Sequence, residues 1–138
     1  MGARARLLAA SLAAAVLSAT AAAATLRWDE LPPLPDPAGV AGPVVGVHGD
    51  ALIVAGGANF PEPRWETQKV FHDRVHVLLR ETAGGKTAYR WVEGPPLARP
   101  LAYGACASTP RGVVCAGGND AGQVHADAFL VAWDAANK

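Results

Sequence analysis

The side chains best suited to chemistry fall into three short segments. Arg99 and Tyr103 flank one apolar run; Asn59, Arg64, Trp65, Glu66 and Lys69 lie just beyond another; Asn119, Asp120 and His125 follow a third. A guanidinium binds a carboxylate through two parallel hydrogen bonds. Tyr, Asn and Glu exchange hydrogen bonds with hydroxyls, and Trp offers an aromatic face. Such a set has the hydrogen-bonding groups and the aromatic face to bind a sugar. Each residue also has a plain structural role open to it. Arg99 could cap neighbouring carbonyls and Tyr103 could pack between sheets. The long loop could be pinned by Phe60 and Trp65, and Asn119 could simply be part of an exposed polar loop. No catalytic acid or base can be named from these residues.

Other chemistries fit less well. The four His (His48, His72, His76 and His125) have no spacing that resembles a zinc pattern, so no metal site is expected. Lys and Arg balance Asp and Glu at net charge zero, which gives no reason to expect nucleic acid as a partner. Asp73 and Asp127 each precede an apolar run at what look like equivalent positions, and they read as turn formers that accept backbone N–H bonds.

The elements that must position these groups are marked by an internal repeat. Ala51-Leu-Ile-Val-Ala-Gly-Gly57 returns as Val113-Val-Cys-Ala-Gly-Gly118, with the glycine pairs 61 residues apart. Leu26-Arg-Trp28 ahead of Pro32-Pro33 likewise answers Tyr89-Arg-Trp91 ahead of Pro95-Pro96. The chain holds 15 Gly and 11 Pro with short apolar runs between them, which points to an all-β, turn-rich fold. The expected strands of the first unit are a at 40–47, b at 51–55, c at 75–79 and d at 89–92. The second unit has a at 102–108, b at 113–116 and c at 128–133. Residues 26–29 form a separate strand d. Turns at 48–51, 81–86 and 109–112 contain Gly or Pro where φ must be unusual or preset.

If the turn at 109–112 sets the register, Cys106 lies directly opposite Cys115. An oxidising compartment would permit a disulfide there, whereas a one-residue slip would put the thiols on opposite faces. Two free buried thiols are the alternative. The compartment is suggested by residues 1–24. Arg4 and Arg6 precede an apolar stretch at 7–17 and the small residues Ala22-Ala23-Ala24, the pattern of a cleaved export signal. A periplasmic or secreted protein without a membrane anchor is expected, with 25–138 as the mature domain.

Four antiparallel strands with Gly-Gly after the second and Trp in the fourth make a propeller blade of kelch type, whose repeats run roughly 50 residues. The excess here lies in the loop at 58–72. The order d, abcd, abc, spanning 26–29, 40–92 and 102–133, supplies about two blades. A closed ring needs at least about four, so the sequence is expected to be a fragment of a longer propeller. The competing expectation is a two-blade piece that folds alone or self-associates through its open sheet edges. The connections from b to c and from d to a emerge on one face, which gathers the three polar segments.

The match narrows at Val40-Ala41-Gly42, Ile53-Val-Ala-Gly-Gly-Ala-Asn-Phe-Pro61, Trp65-Glu66, Lys69, Asp73, Arg99-Pro-Leu-Ala-Tyr-Gly104 and Gly117-Gly118. Together they resemble the cyclically permuted branch of the N-acetylneuraminate epimerases, or sialic acid mutarotases. The resemblance implies a six-bladed propeller, generally periplasmic, that speeds interconversion of the α and β anomers of free sialic acid without a cofactor. It also implies a catalytic Glu directly after a strand-b glycine, with an Arg six positions later. Those places hold Asn119 and His125 in the second unit, and the first unit's loop opens Ala58-Asn59, so neither catalytic residue is carried over. The alternative is a non-catalytic kelch-repeat binding or scaffold module, because a fold does not set a function.

Overall fold

The computed structural model describes residues 25–136, and the export signal expected at 1–24 lies outside them. The described chain is built from antiparallel strands. The first sheet has the order β1-β2-β5-β6, formed by Val44–His48, Ala51–Ala55, Val75–Ala83 and Lys86–Gly94. The second has the order β7-β8-β9, formed by Ala105–Thr109, Gly112–Ala116 and Ala128–Val131. A third element, β3 at Ala58–Asn59 paired with β4 at Val70–Phe71, clamps the base of the long loop.

The alternation that makes these strands is visible in β2. Ala51, Ile53 and Ala55 are buried while Leu52 and Val54 between them are half-buried, the period of two that a pleated strand imposes. Val75, Val77 and Leu79 of β5 join the same core, as do Val113 and Cys115 of β8. The core therefore sits between the two sheets. Their inner strands meet, with Val47 N donating to Ser108 Oγ at 2.8 Å and Val45 N to Cys106 Sγ at 3.4 Å. These two bonds satisfy donors on the free edge of β1 that would otherwise invite pairing with another chain.

Four expectations need correction. Strands a were placed at 40–47 and 102–108, but the ladders begin at Val44 and Ala105. The backbone turns left-handed at Gly42 (φ 60°) and Tyr103 (φ 62°), leaving Ala41 and Ala102 as single bridges to Ala58 and Asn119. Strands c and d of the first unit are longer than 75–79 and 89–92, because Gly84 and Gly85, at φ 56° and 74°, make the two-residue turn whose twist continues a hairpin. Residues 26–29 form no strand, and Leu26 and Trp28 stand in solvent. A strand needs a ladder, and the c-strand of the first sheet is already covered by β6. The N-terminal segment is tied to that sheet where Trp91 Nε1 donates to Pro32 O at 3.0 Å. Finally, Asp73 and Asp127 are not equivalent. Ala55 pairs with Val75 and Ala116 with Ala128, so Asp127 matches Arg74.

Candidate functional site

The repeat places matching groups at the start of both inner strands. Gly42 and Tyr103 are 61 residues apart, the offset of the glycine pairs, and both are left-handed. An L side chain in that region costs about 1–2 kcal/mol. Tyr103 is the only non-glycine residue at positive φ among the described residues, and its ring lies where a Cβ on Gly42 would be, 2.3 Å from Tyr103 Cδ1. Tyr103 N donates to Gly42 O at 2.7 Å, and Phe71 meets the ring edge-on at 6.4 Å. The strained backbone thus holds one phenol in a set orientation.

Lys69 stands over that phenol. Its Nζ is 3.3 Å from Tyr103 Oη, 5.2 Å from the Tyr103 ring centre and 5.7 Å from that of Phe60. Cations are attracted to such ring faces. Among the described residues the ammonium has no carboxylate partner. Lys69, Tyr103, Phe60, Asn59 and Arg64 line a cavity of about 390 Å³. Its cationic, hydroxylated and aromatic wall is fitted to an anion that also carries apolar and hydroxyl groups.

The structure divides the other candidates. Asn59 is on the cavity wall, its amide bonded at both ends. Its Nδ2 donates to Gly39 O at 2.8 Å and its Oδ1 accepts from His72 Nε2 at 2.8 Å. Arg64 reaches the cavity while paired to Glu62 at 2.9 Å. Glu66 and Trp65 point to solvent outside it. Arg99 does not join Tyr103. It pairs with Asp127 beside a separate hollow of about 190 Å³ lined by Leu97, Leu101 and Phe129. Buried Arg99 Nε has no hydrogen-bond partner. That hollow is mostly apolar and its Arg99 is already paired to Asp127, so the Lys69 cavity is the better ligand site. Asn119 lies in the second sheet's loop, its Nδ2 donating to Asp120 O at 3.2 Å.

Lys69 was expected only as one of several polar residues of the long loop, and nothing in its spacing marks its place between two rings. A repeated pair was also not expected. His72 N donates to Gly57 O and His125 N to Gly118 O, and each imidazole Nε2 bonds the residue two after that glycine, Asn59 or Asp120, at 2.8 Å. Aligning the chain at the 61-residue offset would have exposed the match of Asn59 with Asp120.

Two carboxylates are held below their ordinary range. For Asp127 the leading cause is the hydrogen bond from Arg99; for Asp120 it is the Gly122 N–H, followed by His125 and the Gln123 N–H. A carboxylate with a depressed folded-state pKa contributes stability above its unfolded value of about 3.9, and that contribution is lost as pH falls through the folded value. Carboxyl carbon NMR titration is expected to place both midpoints below about 3.9. A midpoint at or above that value for Asp127 would mean that the Arg99 pair does not persist in solution.

Among the described residues no group of three or more His, Cys, Asp or Glu is assembled to hold a metal, and no helix is long and apolar enough to cross a membrane. The ordered antiparallel sheets, packed face to face with their b-to-c loops at one end, define this as a segment of a β-propeller. No family model matches the chain. It is 36% identical over 115 residues to N-acetylneuraminate epimerase of Brucella suis, and 37% identical over 115 residues to that of Brucella melitensis. The Vibrio cholerae epimerase is 32% identical over 117 residues. Each match covers 78% of this chain and 30% of the relative. A solved structure described as that of YjhT superposes with a TM-score of 0.65 at 27% identity, covering 79% of this chain and 32% of that one. The chain is a homologue of part of the N-acetylneuraminate epimerases.

Proposed function

We propose that the chain is part of a periplasmic kelch-type sialic acid mutarotase, exported by residues 1–24, and that the Lys69 cavity receives the acidic sugar. One observation carries this reading: an ammonium without a carboxylate partner is held between Phe60 and a strained Tyr103. The sugar carboxylate pairs with Lys69 Nζ, a hydroxyl bonds Tyr103 Oη, and Arg64 adds positive charge at the rim. Asn59 shapes the wall through Gly39 and His72. Mutarotation opens the ring at the anomeric carbon, one group taking the anomeric hydroxyl proton while another protonates the ring oxygen. The residues for those two transfers are not assigned in this chain.

Lys69→Met is expected to weaken binding of N-acetylneuraminate at least about tenfold, the size of a lost charge-assisted hydrogen bond. Binding of neutral N-acetylmannosamine should be unchanged. NMR titration of the purified chain reads both, and equal losses for the two sugars would defeat the carboxylate assignment. Exchange between sialic acid anomers, followed by NMR, tests activity. Asn119 and His125 at the positions of the expected Glu and Arg favour a second reading, a binding module without catalysis. Sugar binding with exchange no faster than buffer would select it.

A further inference from the structure

We propose that Cys106 and Cys115 are a thiol–disulfide exchange site, oxidised by a low-molecular-weight disulfide to a cross-strand bond within the chain. The two thiols are free in the structure and directly opposite each other in the β7–β8 ladder. Directly opposite residues share a face. The kind of pair can be read from the repeat. Cys106 corresponds to Val45 at the offset of 61, and Val45 N points off its ladder to reach Cys106 Sγ. Val45 therefore sits in a pair that exchanges no hydrogen bonds with β2, and by equivalence Cys106 and Cys115 do too. In such pairs Cα atoms are about 4.5 Å apart and side chains are closest. A disulfide spans about 4.4–6.8 Å between Cα atoms.

The two sulfurs differ in a way that orders the steps. Cys106 is exposed and Cys115 is buried. Burial, with Cys106 close by, pushes the Cys115 thiol up to about 11. Cys106 therefore meets the oxidant first. Its thiolate attacks one sulfur of the small disulfide, forming a mixed disulfide and releasing one small thiol. Cys115 gives up its proton and attacks Cys106 Sγ, forming the Cys106–Cys115 bond and releasing the second small thiol. The protein loses two electrons and two protons, and both reappear in the two thiols released. Ser108, beside Cys106 on the same face of β7, still holds Val47 N, so the sheets stay joined when Cys106 changes partner.

The test uses the full chain and oxidised glutathione at neutral pH, followed by alkylation and trypsin. Trypsin cuts after Arg111, in the exposed turn between the two cysteines. The expected product is the peptide 91–111 joined to the peptide 112–138, lighter than their sum by two hydrogens and separated by reductant, from a protein whose intact mass is that of a monomer. Cys115→Ser should arrest the reaction with glutathione on Cys106. If that variant fails to fold, the peptide map of the unaltered chain still decides. Both cysteines remaining alkylated, glutathione retained on each, or a link only between chains would overturn the proposal.

Discussion

Gly56→Ala is expected to destabilise the fold by about 3 kcal/mol, enough to unfold much of a marginal domain. Gly56 is left-handed at φ 67°, and a Cβ there would lie 2.3 Å from Leu101 O and 3.2 Å from His72 O. Both neighbours are backbone. Leu101 O accepts Gly57 N at 2.8 Å, and Leu101 N donates to His72 O at 3.1 Å, so the methyl would push apart the bonds that join the first sheet's loop to the segment leading into β7. Gly39→Ala separates strain from collision. Gly39 has nearly the same φ, 64°, yet a Cβ there meets nothing within 4 Å. It should cost only the left-handed penalty of about 1 kcal/mol. Denaturant midpoints of the two variants check this, and equal losses would show that the close approach to Leu101 contributes nothing.

Leu101→Ala should cost about 3 kcal/mol. Leu101 is 2% exposed and belongs to a core drawn from both sheets, with Val44, Ile53 and Val77 on one side and Val113 and Cys115 on the other. Truncation leaves a cavity that neither sheet can close alone. Because the core is shared, both sheets should unfold in one transition at the lower midpoint. Backbone amide signals from β5 and β8, followed through a denaturant series by NMR, provide separate probes. Two separated transitions, or a loss below about 1 kcal/mol, would mean that the sheets are stable independently.

The homology bears on how these results are read. The curated relatives are about three times longer than the matched stretch, since each match covers 30% of the relative. In this structure the outer edge of β9 is unpaired within its sheet, while the outer edge of the first sheet is β6.

Much of the scaffold was legible from residue order. Paired glycines after short apolar runs mark where strand b ends, and Thr109-Pro-Arg-Gly112 closes the hairpin in the register that sets Cys106 opposite Cys115. These are local effects: turn chemistry and a period of two act within a few residues. The ends of strands were less legible. Whether β1 starts at Val40 or Val44 depends on the left-handed turn at Gly42, whose neighbour is Tyr103 from the segment leading into β7. Residues 26–29 carry strand-like composition and form no strand, because a ladder also needs an open partner edge.

The sequence alone determined the all-β class, the two repeated units, the glycine positions and the resemblance to the epimerases, all of which rest on short-range pattern. Only the tertiary structure decided which polar residues share a site. It parted Arg99 from Tyr103, tied Asn59 to His72 and Gly39, left Glu66 in solvent, and brought Lys69 onto a phenol 34 residues away. The physical reason is that a site is assembled across sheets. Its distances depend on how two twisted surfaces pack, and no spacing along one strand records that.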